Sequence, residues 1–117
     1  MIRNVSKGCL LARHVSTAFD SQARRTGLLK HAQLPAGHAL VIAPCNAIHT
    51  FFMRFAIDVL FVARDGRVLK VRSHVEPWRI AASLRAHAVI ELASGTAQHT
   101  GTVAGDTLEV QAGEERR

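Results

Sequence analysis

Two cysteines are all that this chain carries, too few for the disulfide framework that holds together small proteins lacking a core. Cys9 and Cys45 both sit in apolar surroundings, where a thiol packs as a small hydrophobe, so two reduced thiols are expected. No stretch approaches the roughly 18 apolar residues of a membrane-spanning helix. The opening "MIRNVSKGCLLARHVSTAFD" also lacks the unbroken apolar segment of about 7 to 15 residues that a secretory signal needs. These absences make the cytoplasm the expected location and leave no role for a membrane. Repeats, low-complexity tracts and linkers rich in Pro, Gly or Ser are missing too, which favours one domain over residues 1–112, followed by a polar tail at 113–117. Acids are scarce: nine Asp and Glu stand against fifteen Lys and Arg. Twelve of those cations are arginine, which suits fixed, bidentate contacts with carboxylate or phosphate. They are scattered along the chain, and the aromatics that could stack a nucleic-acid strand lie inside an apolar run, so a nucleic-acid partner is not the first expectation.

What is present is an apolar fraction of 48% in 117 residues, enough to fill one core without metals or disulfides. "MIRNV" and "CLLARHV" read as strands around a Lys7-Gly8 turn. "FDSQARRTGLLKHA" reads as a short helix, capped near Asp20 or Ser21 and weakened by Gly27. "HALVIA" is a strand that ends at Pro44. "AIDVLFVA" and "RVLKVRS" form a hairpin through Asp65-Gly66, a strong turn signal, although Val68 and Val71 break the alternation of the second run. "VEPWRIAASLRA" is a loop with at most one helical turn, "HAVIELA" a strand, "SGTAQHTG" a turn or short helix, and "DTLEVQ" a last strand. The expected class is α+β, rich in antiparallel short strands, forming two packed sheets or a small, partly closed barrel with one or two short helices.

The stretch "APCNAIHTFFMRFAIDVLFVARDGRV" is apolar, yet it carries Cys45, His49, Arg54 and Asp58, groups that are costly to bury. If residues 54–62 are extended, Arg54 and Asp58 share a face with Leu60 and Val62, while Ile57, Val59 and Phe61 line the other. A carboxylate flanked by apolar residues on both sides needs a cation or several backbone donors, and Arg54 is the nearest cation. Either the two brace a turn or they enter a pocket. Cys45 and His49 could act as nucleophile and base with Asp58 orienting the imidazole, although no local catalytic signature accompanies them. As metal ligands they lack a second pair, and His14, His31, His38, His74, His87 and His99 show no paired spacing, so no metal is expected. Trp78 and Arg79 follow Pro77 on a loop, where binding residues concentrate, although Trp78 could equally cover the core. Glu91 is a second acid in an apolar strand, and beside Asp58 it would permit acid/base chemistry. The glycine-bearing segments lack phosphate-loop spacing.

The blocks "RTGLL", "LP.G.ALVI.PC", "IHTFFMRFAIDVLFV..DG.V", "PWR", "IELASG" and "G…AGD.L" follow one another in an order that resembles the domain of unknown function 192 family over roughly residues 20–110. Ala56 stands where that family usually has proline, and "GTAQHTG" is a more polar version of its short helix. The resemblance implies a small bacterial or archaeal α+β protein without an established activity. The reading that combines these features is a binding module. His49, Arg54, Asp58, Trp78, Arg79 and Glu91 would surround a shallow polar pocket for an anionic ligand or a short peptide. The alternatives are a hydrolytic or thiol-type enzyme using Cys45, His49 and Asp58, and a weakly RNA-associated basic protein. No cofactor is expected, and a monomer is the default.

Overall fold

The structure, a computed structural model, describes residues 1–18 and 33–111; the helix expected over residues 19–32 and the polar tail lie outside these. Among the described residues ten strands follow one another: β1 (Ile2–Asn4), β2 (Cys9–Ala12), β3 (His14–Ala18), β4 (His38–Ile42), β5 (Ala47–His49), β6 (Ile57–Val62), β7 (Val68–Val75), β8 (Ile80–Ala82), β9 (Ala88–Ala93) and β10 (Leu108–Val110). One short helix, α1 (Thr96–Thr100), separates β9 from β10.

The expected α+β class does not hold. Among the described residues the fold is predominantly β, with several sheets and no closed barrel. The physical reason is that α1 has only five residues, too few to present an apolar stripe that could form a layer. Nor are there two packed sheets. A central sheet in the order β3-β4-β9-β6-β7 lies between a three-stranded sheet, β10-β1-β2, and a two-stranded ribbon, β5-β8.

This layering accounts for β6, "IDVLFV", in which all six residues are buried. Leu60 and Val62 pack with Ile2, Leu11 and Leu108 of the three-stranded sheet. Ile57, Val59 and Phe61 pack on the opposite side with Met53 and with Ala81 and Ile48 of the ribbon. A strand covered on both faces reads as a continuous apolar run rather than an alternating one. Within the central sheet, β3 and β4 are parallel and the other pairs antiparallel. The run "CLLARHV" is divided: its first half joins β1 as a hairpin, and after Arg13 the second half enters the central sheet.

The three-stranded sheet is tied to the β6–β7 hairpin by close backbone contact. Leu108 N–H donates to Gly66 O at 2.8 Å, and Val68 N–H donates to Asp106 O at 2.8 Å. Asn4, fully buried, adds side-chain bonds to Thr102 and Asp106. The bonds from Asn4 and Lys7 hold the Asp106 carboxyl below the usual carboxylate range. Gly66 adopts φ +91°, and a Cβ there would lie 2.4 Å from Leu108 O. Gly66→Ala therefore combines a strained φ with a backbone clash, and a loss of at least about 2 kcal/mol is expected in denaturant melts.

Candidate functional site

Asp58 is fully buried, and its carboxylate is satisfied by backbone alone. Opposite it, β7 carries a bulge, since the register passes from Ile57↔Val75 to Val59↔Arg72. Within the bulge His74 takes φ +52°. Its N–H donates to Asp58 Oδ1 at 2.8 Å. On the other side Oδ2 accepts from Gly95 N–H at 3.1 Å and Ala97 N–H at 2.8 Å. Gly95 is the N-cap of α1 and has no side chain to cap it, so Asp58 satisfies first-turn donors that would otherwise be orphaned. The carboxylate thus braces the β7 bulge and the turn from β9 into α1.

Arg54 is not its partner. Strand β6 begins only at Ile57, and Arg54 lies on the preceding bend with its side chain in solvent. The structure likewise forms no Asp58–His49 hydrogen bond: both carboxylate oxygens face backbone N–H groups, while His49 Nδ1 accepts from Phe51 N–H at 3.2 Å. Cys45 Sγ is hydrogen-bonded to Ala47 O at 3.2 Å. Cys45, His49 and Asp58 therefore do not form a hydrogen-bonded relay. Neither cysteine is in a disulfide. Among the described residues no group of three or more His, Cys, Asp or Glu is arranged to hold a metal.

Glu91 lies on β9 opposite Leu40 and Val59. It is 4% exposed, and its Oε1 is buried without a hydrogen-bond partner. Burial pushes its carboxyl up from 4.5 to about 7. Glu91 and Asp58 are not cross-strand partners: Asp58 lies opposite Leu92, so successive residues of β9 send the two acids to opposite faces of the sheet.

What does gather is a set of aromatic rings at one end of the β5–β8 ribbon. His49 stacks on Phe51 with ring centroids 4.7 Å apart, Phe51 on Trp78 at 5.5 Å, and Phe52 meets Trp78 edge-on at 4.6 Å. Ile80 lies opposite His49 in the ribbon. The cluster faces solvent: Phe52 is 68% exposed, Trp78 55% and Ile80 65%. Trp78 thus does not cover the core. Beneath it Thr50, fully buried, joins the two loops. Its hydroxyl donates to Glu76 O at 2.6 Å and accepts from Arg79 N–H at 2.9 Å, and its backbone pairs with Arg79 and Trp78. Phe52 and Trp78 both hold φ +68°, a conformation that bulky side chains rarely adopt.

Sequence reasoning named Trp78, Arg79 and His49 but missed Phe51, Phe52, Thr50 and Ile80. The one available signal was the crowding of "IHTFF" and "PWRI" with large side chains beside polar ones.

Fold and site together describe a small, three-layered, predominantly β domain that presents an aromatic face supported by a buried threonine. The chain belongs to the DUF192 family, described as "Uncharacterized ACR", whose profile matches residues 2–110. Two solved structures are similar. One, a protein of unknown function from Novosphingobium aromaticivorans DSM 12444, is 21% identical with a TM-score of 0.81, over 93% of this chain and 81% of that one. The other, from Sinorhizobium meliloti 1021 and described as a "putative transcription regulator", is 26% identical with a TM-score of 0.75, over 81% of this chain and 79% of that one. No curated protein matches. No helix among the described residues is long and apolar enough to cross a membrane.

Proposed function

We propose that the chain is a binding module whose recognition surface is the aromatic face of the β5–β8 ribbon, and that it takes a short peptide segment combining apolar and acidic side chains. The observation that carries this is the pair of positive-φ aromatics. Phe52 and Trp78 cost conformational energy where they stand and bury little in return, the pattern expected of residues retained for a ligand. The acidic element follows from charge. Four of the exposed apolar residues have an exposed arginine within two positions in the chain: Arg54 two after Phe52, Arg79 between Trp78 and Ile80 and paired with Glu76 at 3.3 Å, and Arg85 after Leu84. Aromatic anchors ringed by arginine are the usual centre of a protein interface.

Phe52→Gly and Trp78→Gly separate binding from folding. Each relieves a positive φ and removes a ring that is mostly in water, so stability should change by less than about 1 kcal/mol in either direction. Peptides selected from a displayed library on the wild type should carry Asp or Glu next to apolar residues, and they should lose at least about tenfold in affinity for either variant, as hot-spot truncations do. A library that yields no binders, or binders indifferent to both variants, would sink the proposal.

Exposed rings beside arginines are also the combination that stacks single-stranded nucleic acid, and the Sinorhizobium neighbour's description favours that second reading. With the arginines dispersed, single-stranded RNA should bind weakly and lose affinity steeply as salt rises. Fluorescence anisotropy at low and physiological salt checks this; a tight complex that survives physiological salt and depends on Trp78 would favour nucleic acid over peptide.

A further inference from the structure

The β5–β8 ribbon is a sheet of two short strands, and among the described residues neither strand has a second neighbour. Its register fixes which backbone groups are used. Thr50 N–H donates to Arg79 O at 2.8 Å and Ser83 N–H to Asn46 O at 2.9 Å, with Ala47↔Ala82, Ile48↔Ala81 and His49↔Ile80 paired between them. Hydrogen-bonded and non-hydrogen-bonded pairs alternate along an antiparallel ladder, so Ile48 and Ala81 exchange both bonds, whereas Ile80 and Ala82 turn their N–H and C=O groups away from β5. The ribbon thus has an open edge along β8, directly after Trp78 and Arg79. Among the described residues one side chain bonds to that edge: Lys70 Nζ donates to Ala82 O at 2.8 Å.

This bond places the open edge beside β7, itself the outermost strand of the central sheet. Lys70 and Arg72 lie opposite Phe61 and Val59 of β6, whose side chains pack toward the ribbon, so both cations share the ribbon's side of the sheet. Arg72 is exposed, and no described carboxylate pairs with it. On the outward face of the ribbon the edge carries exposed Ile80, while Ala81 is buried beneath. One face beside the edge is therefore apolar and the other cationic.

We propose that a peptide partner binds by adding an extended strand to the β8 edge, its apolar side chains beside Ile80 and Trp78 alternating with Asp or Glu side chains directed at Arg72 and Lys70. This rests on the ribbon being the recognition surface and states how the peptide lies on it. An exposed strand edge is a template for another strand. Strand β8 has only three residues, so the edge offers few backbone bonds and the side chains on its two faces must supply the selectivity. The period of two follows from the pleat, in which successive residues of an extended strand point to opposite faces. The peptide residue opposite Ile80 shares its outward face, and the residues on either side of it turn toward β7. Their backbone bonds Ile80 N–H and C=O and Ala82 N–H.

Peptides selected from the displayed library on the wild type are the probes, and the full chain is used throughout. In their complexes the amides of Ile80 and Ala82 should gain protection from hydrogen exchange, since an added strand closes them to water. N-methylation of the peptide should cost at least about tenfold in affinity at alternate positions, where a backbone bond is lost and its acceptor left unpaired, and less than about threefold at the positions between. Acidic residues in the selected sequences should fall at alternate positions. Arg72→Gln, an exposed substitution, should melt as the wild type does. It should weaken these peptides by at least about threefold and leave versions with Gln in place of the acids unchanged. Binders that depend on Trp78 but tolerate N-methylation at every position and leave the Ile80 and Ala82 amides unprotected would overturn the added strand and keep the aromatic face. Protection of those amides in the protein alone, rising with its concentration, would assign the edge to a second copy and overturn the peptide strand. A library without binders would remove both.

Discussion

Asp58→Ala should lower the unfolding free energy by at least about 3 kcal/mol, because it removes the shared acceptor of the His74, Gly95 and Ala97 N–H groups at a fully buried side chain, and each unsatisfied buried donor costs about 1–3 kcal/mol. Asp58→Asn keeps one acceptor oxygen but turns an NH2 group toward the remaining donors, so its loss should be smaller yet still above about 1 kcal/mol. Arg54→Met should change stability by no more than about 0.5 kcal/mol, as surface substitutions do. Combined with Asp58→Asn, its effect should add within about the same margin, because the two residues share no partner. Hydrogen exchange identifies the cause: the amides of His74, Gly95 and Ala97 should lose protection ahead of the rest of the central sheet in Asp58→Asn. A strong coupling between the two substitutions would show that the carboxylate relies on Arg54 after all.

That outcome also explains why the acid could be located from the sequence but its partners could not. An acid inside "IDVLFV" announces a buried carboxylate. Yet the donors are main-chain N–H groups 16, 37 and 39 residues away, and side-chain chemistry carries no sign of them. Two indirect signs were present. The broken alternation at Val68 and Val71 belongs to β7, whose pairing with β6 shifts register twice, and Gly95 marks a turn that cannot cap its own helix. Strands with a strong turn signal or a long β-branched run were legible, as in the hairpin through Asp65-Gly66 and in β9. β5 and β8 were not. Each has three residues, and the outward side of the ribbon is itself apolar at Ile80, so no polar alternation marks it. The fold class failed for a related reason: segments that read as several separate strands do not reveal how many sheets they form.

Stability should fall as pH rises from about 5 to 8 by roughly 3 kcal/mol more in the wild type than in Glu91→Gln, the largest single-residue pH effect expected among the described residues. Glu91 is 4% exposed, has an unpartnered oxygen, and its carboxyl is raised from 4.5 to about 7 by burial. A raised acid binds its proton more tightly folded than unfolded, so between these two values the native state holds more protons and the unfolding free energy decreases with pH. The contribution is fully present below about 4.5 and is lost as pH climbs through about 7, at about 1.4 kcal/mol per unit of difference. Glutamine has nearly the same shape and no charge, so Glu91→Gln should be close to the wild type near pH 5 and more stable near pH 8. The difference between the two proteins, rather than the slope of either, is the quantity to measure, because it isolates the one carboxyl that the substitution removes. Denaturant melts at three pH values suffice. Parallel curves for wild type and variant would mean that Glu91 is already satisfied in the folded chain, and the desolvated carboxyl would have to be given up.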